Sequence, residues 1–195
     1  MLSNTSKMPG KSINLDAFKC ITGSILAAVE GSVCEDCYAR KGAYRFPVVK
    51  NKMLDRMNFF NASNFIPAMV MNLDKTKNEY FRWFDSGDLD SINMLEKIVM
   101  ICQATPTIKH WLPTREVKVV SDYLKIYKEF PDNLLVRVSS PMIDGEPLKF
   151  EYTSTVHHKE KAKGHDCPSR FQNNECRDCR ACWNKNIKNV SYHKH

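Results

Sequence analysis

Residues 80–141 read YFRWFDSGDLDSINMLEKIVMICQATPTIKHWLPTREVKVVSDYLKIYKEFPDNLLVRVSSP, and the fold class can be read from them. The stretch contains three apolar runs of strand length and, between them, two segments whose apolar residues recur at steps of three and four, as in helices. The runs are 80–84, 108–112 and 134–138, and the helical segments are 91–103 and 117–127. Strands that alternate with helices form a parallel sheet with right-handed crossovers, so the sequence predicts an α/β fold.

The remaining sequence extends this core on both sides. We expect further helices at 48–60 and 64–73 and strands at 12–19 and 150–157, with a loop-like, cysteine-rich segment at 166–195. A closed eight-fold barrel needs about 250 residues, so 195 residues predict a partial (β/α) barrel or a small parallel sheet with a cysteine-rich C-terminal metal-binding segment. One domain would comprise an N-terminal cysteine motif and loop, a core of helices and strands, and the C-terminal segment, at 1–46, 47–141 and 142–195.

The composition is that of an ordinary globular domain, with 43% hydrophobic and 26% charged residues. The mean hydropathy of −0.45 and the lack of an apolar run of about 18 residues exclude a membrane bundle. The polar start, MLSNTSKMPGKS, is unlike a secretory signal. We therefore expect a cytoplasmic protein with no membrane contact, in a compartment that keeps thiols reduced.

Polar residues follow the predicted strands, at the edge where parallel α/β proteins place their chemistry. Carboxylates beside an arginine can act as base, metal ligand or substrate clamp. The predicted catalytic residues are Asp85, Asp88, Arg115 and Glu116, and the predicted cofactor-binding residues are Ser86, Gly87, Thr114 and Ser139. A structural alternative is that Asp88 or Asp90 caps the following helix.

Four of the eight cysteines form a C-terminal group, Cys167, Cys176, Cys179 and Cys182. Four thiolates are a complete ligand set for zinc or for an iron–sulfur cluster. The spacing C-x8-C-x2-C-x2-C favours the cluster, because zinc sites usually pair two C-x2-C motifs. Free or disulfide-bonded thiols are the third possibility. Cys102 lies on the apolar side of a predicted helix and is expected in the core.

A second group, Cys20, Cys34 and Cys37, has one ligand fewer than a complete set. It could hold a cluster with one open iron site, as in radical enzymes that use S-adenosylmethionine. It could instead bind a metal with a fourth ligand such as His165 or His193. In the third interpretation only Cys34 and Cys37 matter, and Cys20 is a small buried hydrophobic residue.

The charge balance is basic, with 29 Lys and Arg against 22 Asp and Glu, a net charge of +7. This balance is compatible with a nucleic-acid partner. The basic residues are nevertheless spread along the chain without an arginine-rich run. A small-molecule or nucleotide substrate is therefore an equal expectation.

Four segments together resemble the phage gene product 88 family: GSVCEDCYARKGAYRF (31–46), RWFDSGDL (82–89), KHWLPTRE (109–116) and CRDCRACWNKNIKNVSYHKH (176–195). The resemblance covers most of the chain, and it implies a phage-encoded protein that works in the host cytoplasm. It marks as motif positions Cys34, Cys37, Ser86, Gly87, Asp88, Thr114, Cys167, Cys176, Cys179, Cys182 and Trp183. It does not supply a reaction.

The residues 84–89, FDSGDL, are also similar to the Asp-Ser-Gly-Gly-Phe segment of tRNA-guanine transglycosylases, with Asp88 in place of the second glycine. Taken together, these features favour a phage-encoded iron–sulfur or other metal-binding protein. A radical or redox reaction on a nucleotide or nucleic-acid-related substrate is the leading hypothesis. The alternative is a zinc-stabilised nucleic-acid-binding or host-interaction protein without catalysis.

Overall fold

A computed structural model describes residues 2–194 as a mixed α/β fold. The α helices are α1 (Ile21–Leu26), α2 (Pro47–Phe60), α3 (Phe65–Thr76), α4 (Ile92–Ala104) and α5 (Val117–Tyr127). The strands are β1 (Ser3–Asn4), β2 (Lys11–Ile13), β3 (Tyr80–Trp83), β4 (Lys109–Thr114), β5 (Leu134–Ile143), β6 (Thr153–His157), β7 (His165–Asp166) and β8 (Asn189–His193).

The strands form one sheet in the order β1-β2-β3-β4-β5-β6-β8-β7. The pair β1–β2 is antiparallel, and every other pair is parallel. The predicted α/β class and its parallel sheet are therefore confirmed. The partial barrel is not confirmed. The sheet contains eight strands and is therefore larger than the small parallel sheet that the sequence predicts.

One face of the sheet carries the main hydrophobic core, packed under α3, α4 and α5. Trp83, Leu95 and Ile98 are completely buried there. Helix α4 begins where Ser91 Oγ accepts a hydrogen bond from Met94 N at 3.2 Å, so Ser91 is its N-cap residue. The buried side chains of α4 recur at the spacing of one helical face, which is why the sequence predicts this helix well.

The ends of the chain differ most from the sequence-based expectation. The predicted loop-like segment at 166–195 contains β8, which lies between β6 and β7 and buries Val190 and Ser191 completely. One face of this strand buries polar side chains: Thr153 Oγ1 donates to Asn189 Oδ1 at 2.8 Å. Hydrophobic periodicity identifies strands by their apolar residues, so it does not predict a buried strand with a polar face.

The predicted strand 12–19 is also wrong beyond Ile13. Asp16 accepts a hydrogen bond from Phe18 N at 3.0 Å and begins a short 3-10 helix at Ala17–Lys19. An aspartate that satisfies the backbone locally competes with strand pairing. The chain therefore leaves the sheet before it reaches Cys20.

The second face of the sheet is covered by the C-terminal segment. Trp183 packs edge-on against Trp111 at a ring distance of 5.2 Å, and its Nε1 donates to Phe81 O at 3.0 Å. Cys182 and Val190 are buried in the same small cluster. The cysteine-rich segment is thus fastened to the middle of the sheet, on the side away from the helices.

Arg137 of β5 anchors this segment from below. Its guanidinium is completely buried and donates to six backbone carbonyls at 2.8–3.3 Å. The acceptors belong to Thr153, Ala181, Cys182, Asn184, Ile187 and Lys188. A planar group with five N–H donors suits a ring of carbonyls, so one side chain gathers the turns around Cys182.

None of the helices within residues 2–194 has the length and apolar character needed to cross a membrane.

Candidate functional site

A long loop region, residues 14–46, includes the short helix α1 and crosses the carboxyl ends of β3, β4 and β5. At its start, Leu15 N donates to Ser86 O at 2.9 Å, and Ser86 Oγ donates to Leu15 O at the same distance. Further along, Val33 N donates to Pro141 O at 2.9 Å. The loop therefore carries the N-terminal cysteines onto the edge of the sheet where the sequence predicts the chemistry.

Glu116 holds the loop next to the cysteines. Its two carboxylate oxygens accept from Thr22 N at 2.9 Å and from Thr22 Oγ1 at 2.7 Å. A methyl group added at Gly23 would lie 3.6 Å from Cys20 Sγ and 3.8 Å from Cys34 Sγ, so both sulfurs flank this glycine. Glu116, predicted to be catalytic, thus acts as a tie between the loop and the end of β4.

The three N-terminal thiols are electrostatic neighbours of one another. Burial, together with the negative charges of Asp88, Cys37, Cys34 and Glu116, raises the pKa of Cys20 to about 12. A thiol with such a pKa stays protonated at neutral pH until a metal displaces the proton.

Arg115 places a positive charge near the N-terminal cysteines. Burial raises the pKa of Cys34, while Arg115 and Arg40 oppose that change. Arg115 Nε and Arg40 Nη1 are buried and have no hydrogen-bond partner within the described chain. Buried guanidinium N–H groups without a partner suit an anionic ligand.

Asp88 is the most perturbed carboxylate at this edge. It accepts hydrogen bonds from Thr114 Oγ1 at 2.6 Å, from Arg115 N at 2.8 Å and from Leu89 N at 2.8 Å. Burial nevertheless raises its pKa to about 6. A carboxyl group that titrates close to neutral pH can take up and release a proton, as a general acid or base must. Asp88 is not a helix cap, since Ser91 fills that position.

The raised pKa of Asp88 predicts a pH-dependent stability. The unfolded value is about 3.9, so between roughly pH 4 and pH 6 the native state binds more protons and stability falls as pH rises. We expect the difference in free energy of unfolding between the natural protein and Asp88→Asn to drop by about 2 kcal/mol from pH 4 to pH 7. This is less than the full shift implies, because Asp88 keeps some exposure.

Urea unfolding at several pH values measures the difference. Asp90→Asn is the exposed control, and a pH-independent difference for Asp88→Asn would contradict the prediction.

The predicted cofactor-binding residues have partners inside the protein. Ser86 Oγ is bound to Leu15 O, as described, and Thr114 Oγ1 is bound to Asp88. Ser139 Oγ lies 2.9 Å from Ser154 Oγ. Gly87 has a φ of +79° and lies against Leu15, so the turn needs glycine at this point. These residues shape the edge, and their predicted contact with a cofactor stays a prediction.

Sequence reasoning missed Arg82 and Tyr38. Arg82 packs over the Trp111 ring at 4.7 Å, and its charge lowers the pKa of Tyr38 and of Asp85, although burial raises both pKa values overall. Tyr38 Oη donates to the backbone carbonyl of Asp85. The signal for Arg82 is in the sequence, because a charged residue interrupts the aromatic strand YFRW.

The C-terminal cysteines line one small pocket together with His165 and Trp183. Three of the four sulfurs have a polar neighbour: Cys167 Sγ lies 3.2 Å from Ser169 Oγ, Cys182 Sγ lies 3.2 Å from Tyr192 Oη, and Cys179 Sγ lies 3.6 Å from His165 Nε2. The thiols that most affect the pKa values of Cys176 and Cys182 belong to this same group. Each cysteine group thus has its strongest thiol neighbours within the same group.

The spacing of the sulfurs tests a single metal ion. Zn–S bonds of about 2.3 Å hold the sulfurs of a tetrahedral site about 3.8 Å apart. Within residues 2–194, neither cysteine group has its sulfurs all within 4.8 Å of one another. A four-iron cluster binds each thiolate through a different iron, so its sulfurs stand further apart than around one ion. The donor types fit a cluster, and metal binding by these cysteines stays a prediction.

The two histidines proposed as a fourth ligand lie elsewhere. His165 contacts Cys179 of the C-terminal group, and His193 lies 3.1 Å from Asp166. His110 is a core residue, stacked on Trp83. Cys102 is completely buried among apolar side chains, as expected.

A family model described as Gene product 88 matches residues 19–185 of the chain. A search of curated proteins and of solved structures finds no match. The matched range contains both cysteine groups and the edge formed by Asp88 and Arg115. The chain therefore belongs to the Gene product 88 family.

Proposed function

We propose that this protein is an iron–sulfur enzyme in which Cys20, Cys34 and Cys37 hold a cluster above the carboxyl edge of the sheet. The observation that carries the proposal is that the loop brings these thiols next to Asp88, a carboxylate of raised pKa. Parallel α/β proteins place their active sites at this edge. Three thiolates leave one iron of a four-iron cluster without a protein ligand, where a small molecule can bind.

When bound, the cluster supplies electron transfer or a Lewis-acidic iron. The side chains around it would do the rest of the work. Asp88 takes up or releases a proton at its carboxylate, since its pKa of about 6 is close to neutral pH. Glu116 keeps the loop in place through Thr22. Zinc without iron is the alternative occupant, and S-adenosylmethionine is one candidate for the open position.

The substrate in this proposal carries an anionic group, as a nucleotide does. The support is the set of buried guanidinium N–H groups without partners, Arg40 Nη1, Arg82 Nε and Arg115 Nε. Arg82 and Arg115 both act on the pKa of Tyr38, so they lie near the same side chain. Arginine binds phosphate and carboxylate groups in a bidentate geometry, which suits recognition of an anionic substrate.

The C-terminal cysteines would form a closed second centre. All four line a pocket against the buried Trp183, whereas the N-terminal group lies within the loop that crosses the edge of the sheet. Four-thiolate sites with no open position are structural or carry electrons. The polar neighbours of Cys167, Cys179 and Cys182 would tune the reduction potential of such a centre.

Iron and sulfide analysis after anaerobic reconstitution tests this proposal. We expect the natural protein to bind two clusters, with Cys34→Ser losing one and Cys179→Ser losing the other. Cys102→Ala is the matched control, because Cys102 lies in the core and outside both groups, and it should keep the full iron content. Electron paramagnetic resonance of the reduced variants should show which signal belongs to which group.

A colourless protein with stoichiometric zinc and no sulfide would overturn the proposal. Salt-dependent binding of nucleic acid by that zinc form would then favour a zinc-stabilised binding module without catalysis. Retention of all iron by Cys34→Ser would remove the N-terminal group from the site.

A further inference from the structure

Two histidines and one aspartate come together at the edge of the sheet, on the opposite face from the C-terminal cysteines. His157 of β6 is directly opposite His193 of β8, and Asp166 of β7 is opposite Ser191 of β8. Ser191 and His193 are two positions apart in β8, and side chains at that spacing point to the same face of the sheet. The register therefore places His157, Asp166 and His193 on one face, although they come from three separate strands.

The distances between these side chains are within a few tenths of an ångström of those between ligands on one metal ion. His193 Nε2 lies 3.1 Å from Asp166 Oδ1, and His157 Nε2 lies 3.7 Å from the same oxygen. Metal–ligand bonds of about 2.1 Å at tetrahedral or octahedral angles separate neighbouring ligand atoms by about 3.0–3.4 Å. One ligand atom from each of the three residues lies within 4.8 Å of the other two.

We infer that His157, Asp166 and His193 form a binding site for one divalent transition-metal ion, distinct from both cysteine groups. Two imidazoles and a carboxylate are the ligand set of many zinc and non-haem iron(II) sites. Three protein ligands leave positions for water or a small molecule. Asp166 is about half exposed, so the ion can exchange with solvent at this edge.

Neighbouring residues orient His157 for this role. Its Nδ1 lies 2.8 Å from Ser191 Oγ, which leaves Nε2 directed at Asp166. A metal-binding histidine usually donates its other ring N–H to such a partner. Thr155 Oγ1 donates to Ser191 Oγ at 3.0 Å and holds the serine in place.

Arg170 acts in the opposite direction. Its guanidinium lies 2.9 Å from His193 Nδ1. Because arginine only donates, Nδ1 must accept there, and the neutral ring then carries its proton on Nε2. Metal binding at Nε2 requires Nδ1 to hold the proton and Arg170, an exposed residue, to move away. Arg170 thus competes with the metal ion for His193, whereas Ser191 favours metal binding by His157.

Titration with Co²⁺, followed by histidine ring signals in NMR and by absorption, tests the inference. We expect the ring signals of His157 and His193 to broaden together and to saturate with one Co²⁺ bound at the histidines, in addition to any cobalt that the cysteine groups take up. Asp166→Asn should weaken this binding at least about tenfold, while the sulfur-to-cobalt absorption of the cysteine groups stays unchanged. His158→Ala, an exposed histidine next to His157, and Asp178→Asn, an exposed aspartate, should bind as the natural protein does.

Two further variants separate a metal site from a hydrogen-bonded cluster. Ser191→Ala should weaken Co²⁺ binding at the histidines, and Arg170→Ala should strengthen it several-fold. Amide spectra report that each variant is folded. The inference fails if excess Co²⁺ leaves both ring signals unchanged, or if Asp166→Asn binds as tightly as the natural protein. If Co²⁺ does not bind at the histidines while the iron content of the cysteine groups is intact, only this inference is overturned. If Co²⁺ binds at the histidines while the cysteine groups hold no iron, only the proposed function is overturned.

Discussion

Arg137→Met will lower the free energy of unfolding by about 3–5 kcal/mol. The substitution keeps an unbranched, though shorter, stem and removes the N–H groups that serve six backbone carbonyls. Buried acceptors left without donors cost more than the original hydrogen bonds contributed. Urea unfolding under reducing conditions measures the change. If the C-terminal cysteines hold a cluster as proposed, we also expect this variant to lose iron there, because Cys182 O is one of the six acceptors.

Two companion variants sharpen this prediction. Arg177→Met removes an exposed arginine from the same segment and should change stability by no more than about 0.5 kcal/mol. Arg137→Lys offers three donors on a single atom in place of a planar fork, so we expect an intermediate loss. An Arg137→Met protein that unfolds at the same urea concentration as the natural one would show that the carbonyls find other donors.

Gly87→Ala will destabilise the protein by about 2–4 kcal/mol and loosen the N-terminal loop. Gly87 has a φ of +79°, and a methyl group there would lie 2.5 Å from Leu15 Cβ and 2.9 Å from Leu15 C. The strain and the clash act together, and relief requires Leu15 to move away from Ser86. Since Leu15 begins the loop that carries Cys20, we also expect a lower iron content at the N-terminal group. Thermal unfolding and iron analysis measure both effects.

Gly42→Ala is the matched control for Gly87→Ala. Gly42 also has a positive φ, +52°, but a methyl group there would meet no atom within 4 Å. The variant therefore isolates the backbone strain, which costs about 1 kcal/mol. Equal losses for the two variants would mean that the contact with Leu15 contributes nothing.

The central part of the fold follows from local patterns. Between Tyr80 and Val138, each strand is mostly apolar and each helix has one apolar face, so periodicity and secondary structure agree. The ends of the chain do not obey this rule. In β8, one face buries Asn189 and Ser191, whose stability depends on partners in another strand. Local sequence contains no sign of those partners.

The candidate site is predictable in position but not in its internal contacts. The strand ends point to Asp88 and Arg115 because parallel sheets place their chemistry there. The tie between Glu116 and Thr22 joins residues 94 positions apart, and no short motif announces it. The histidine site is hidden for the same reason, since strand order alone brings His157 and His193 together.

The strand order also sets a sequence of events during synthesis. β7 pairs with β8, yet β8 is made later, after the whole cysteine-rich turn. Until then, His165–Asp166 has no sheet partner in the described topology. Pairing β8 with β6 and β7 is thus a late step over a long sequence separation, which is slow. If the cysteines bind metal as proposed, metal that reaches the thiols before this step would meet an open chain, and loading would then be coupled to the final closure of the sheet.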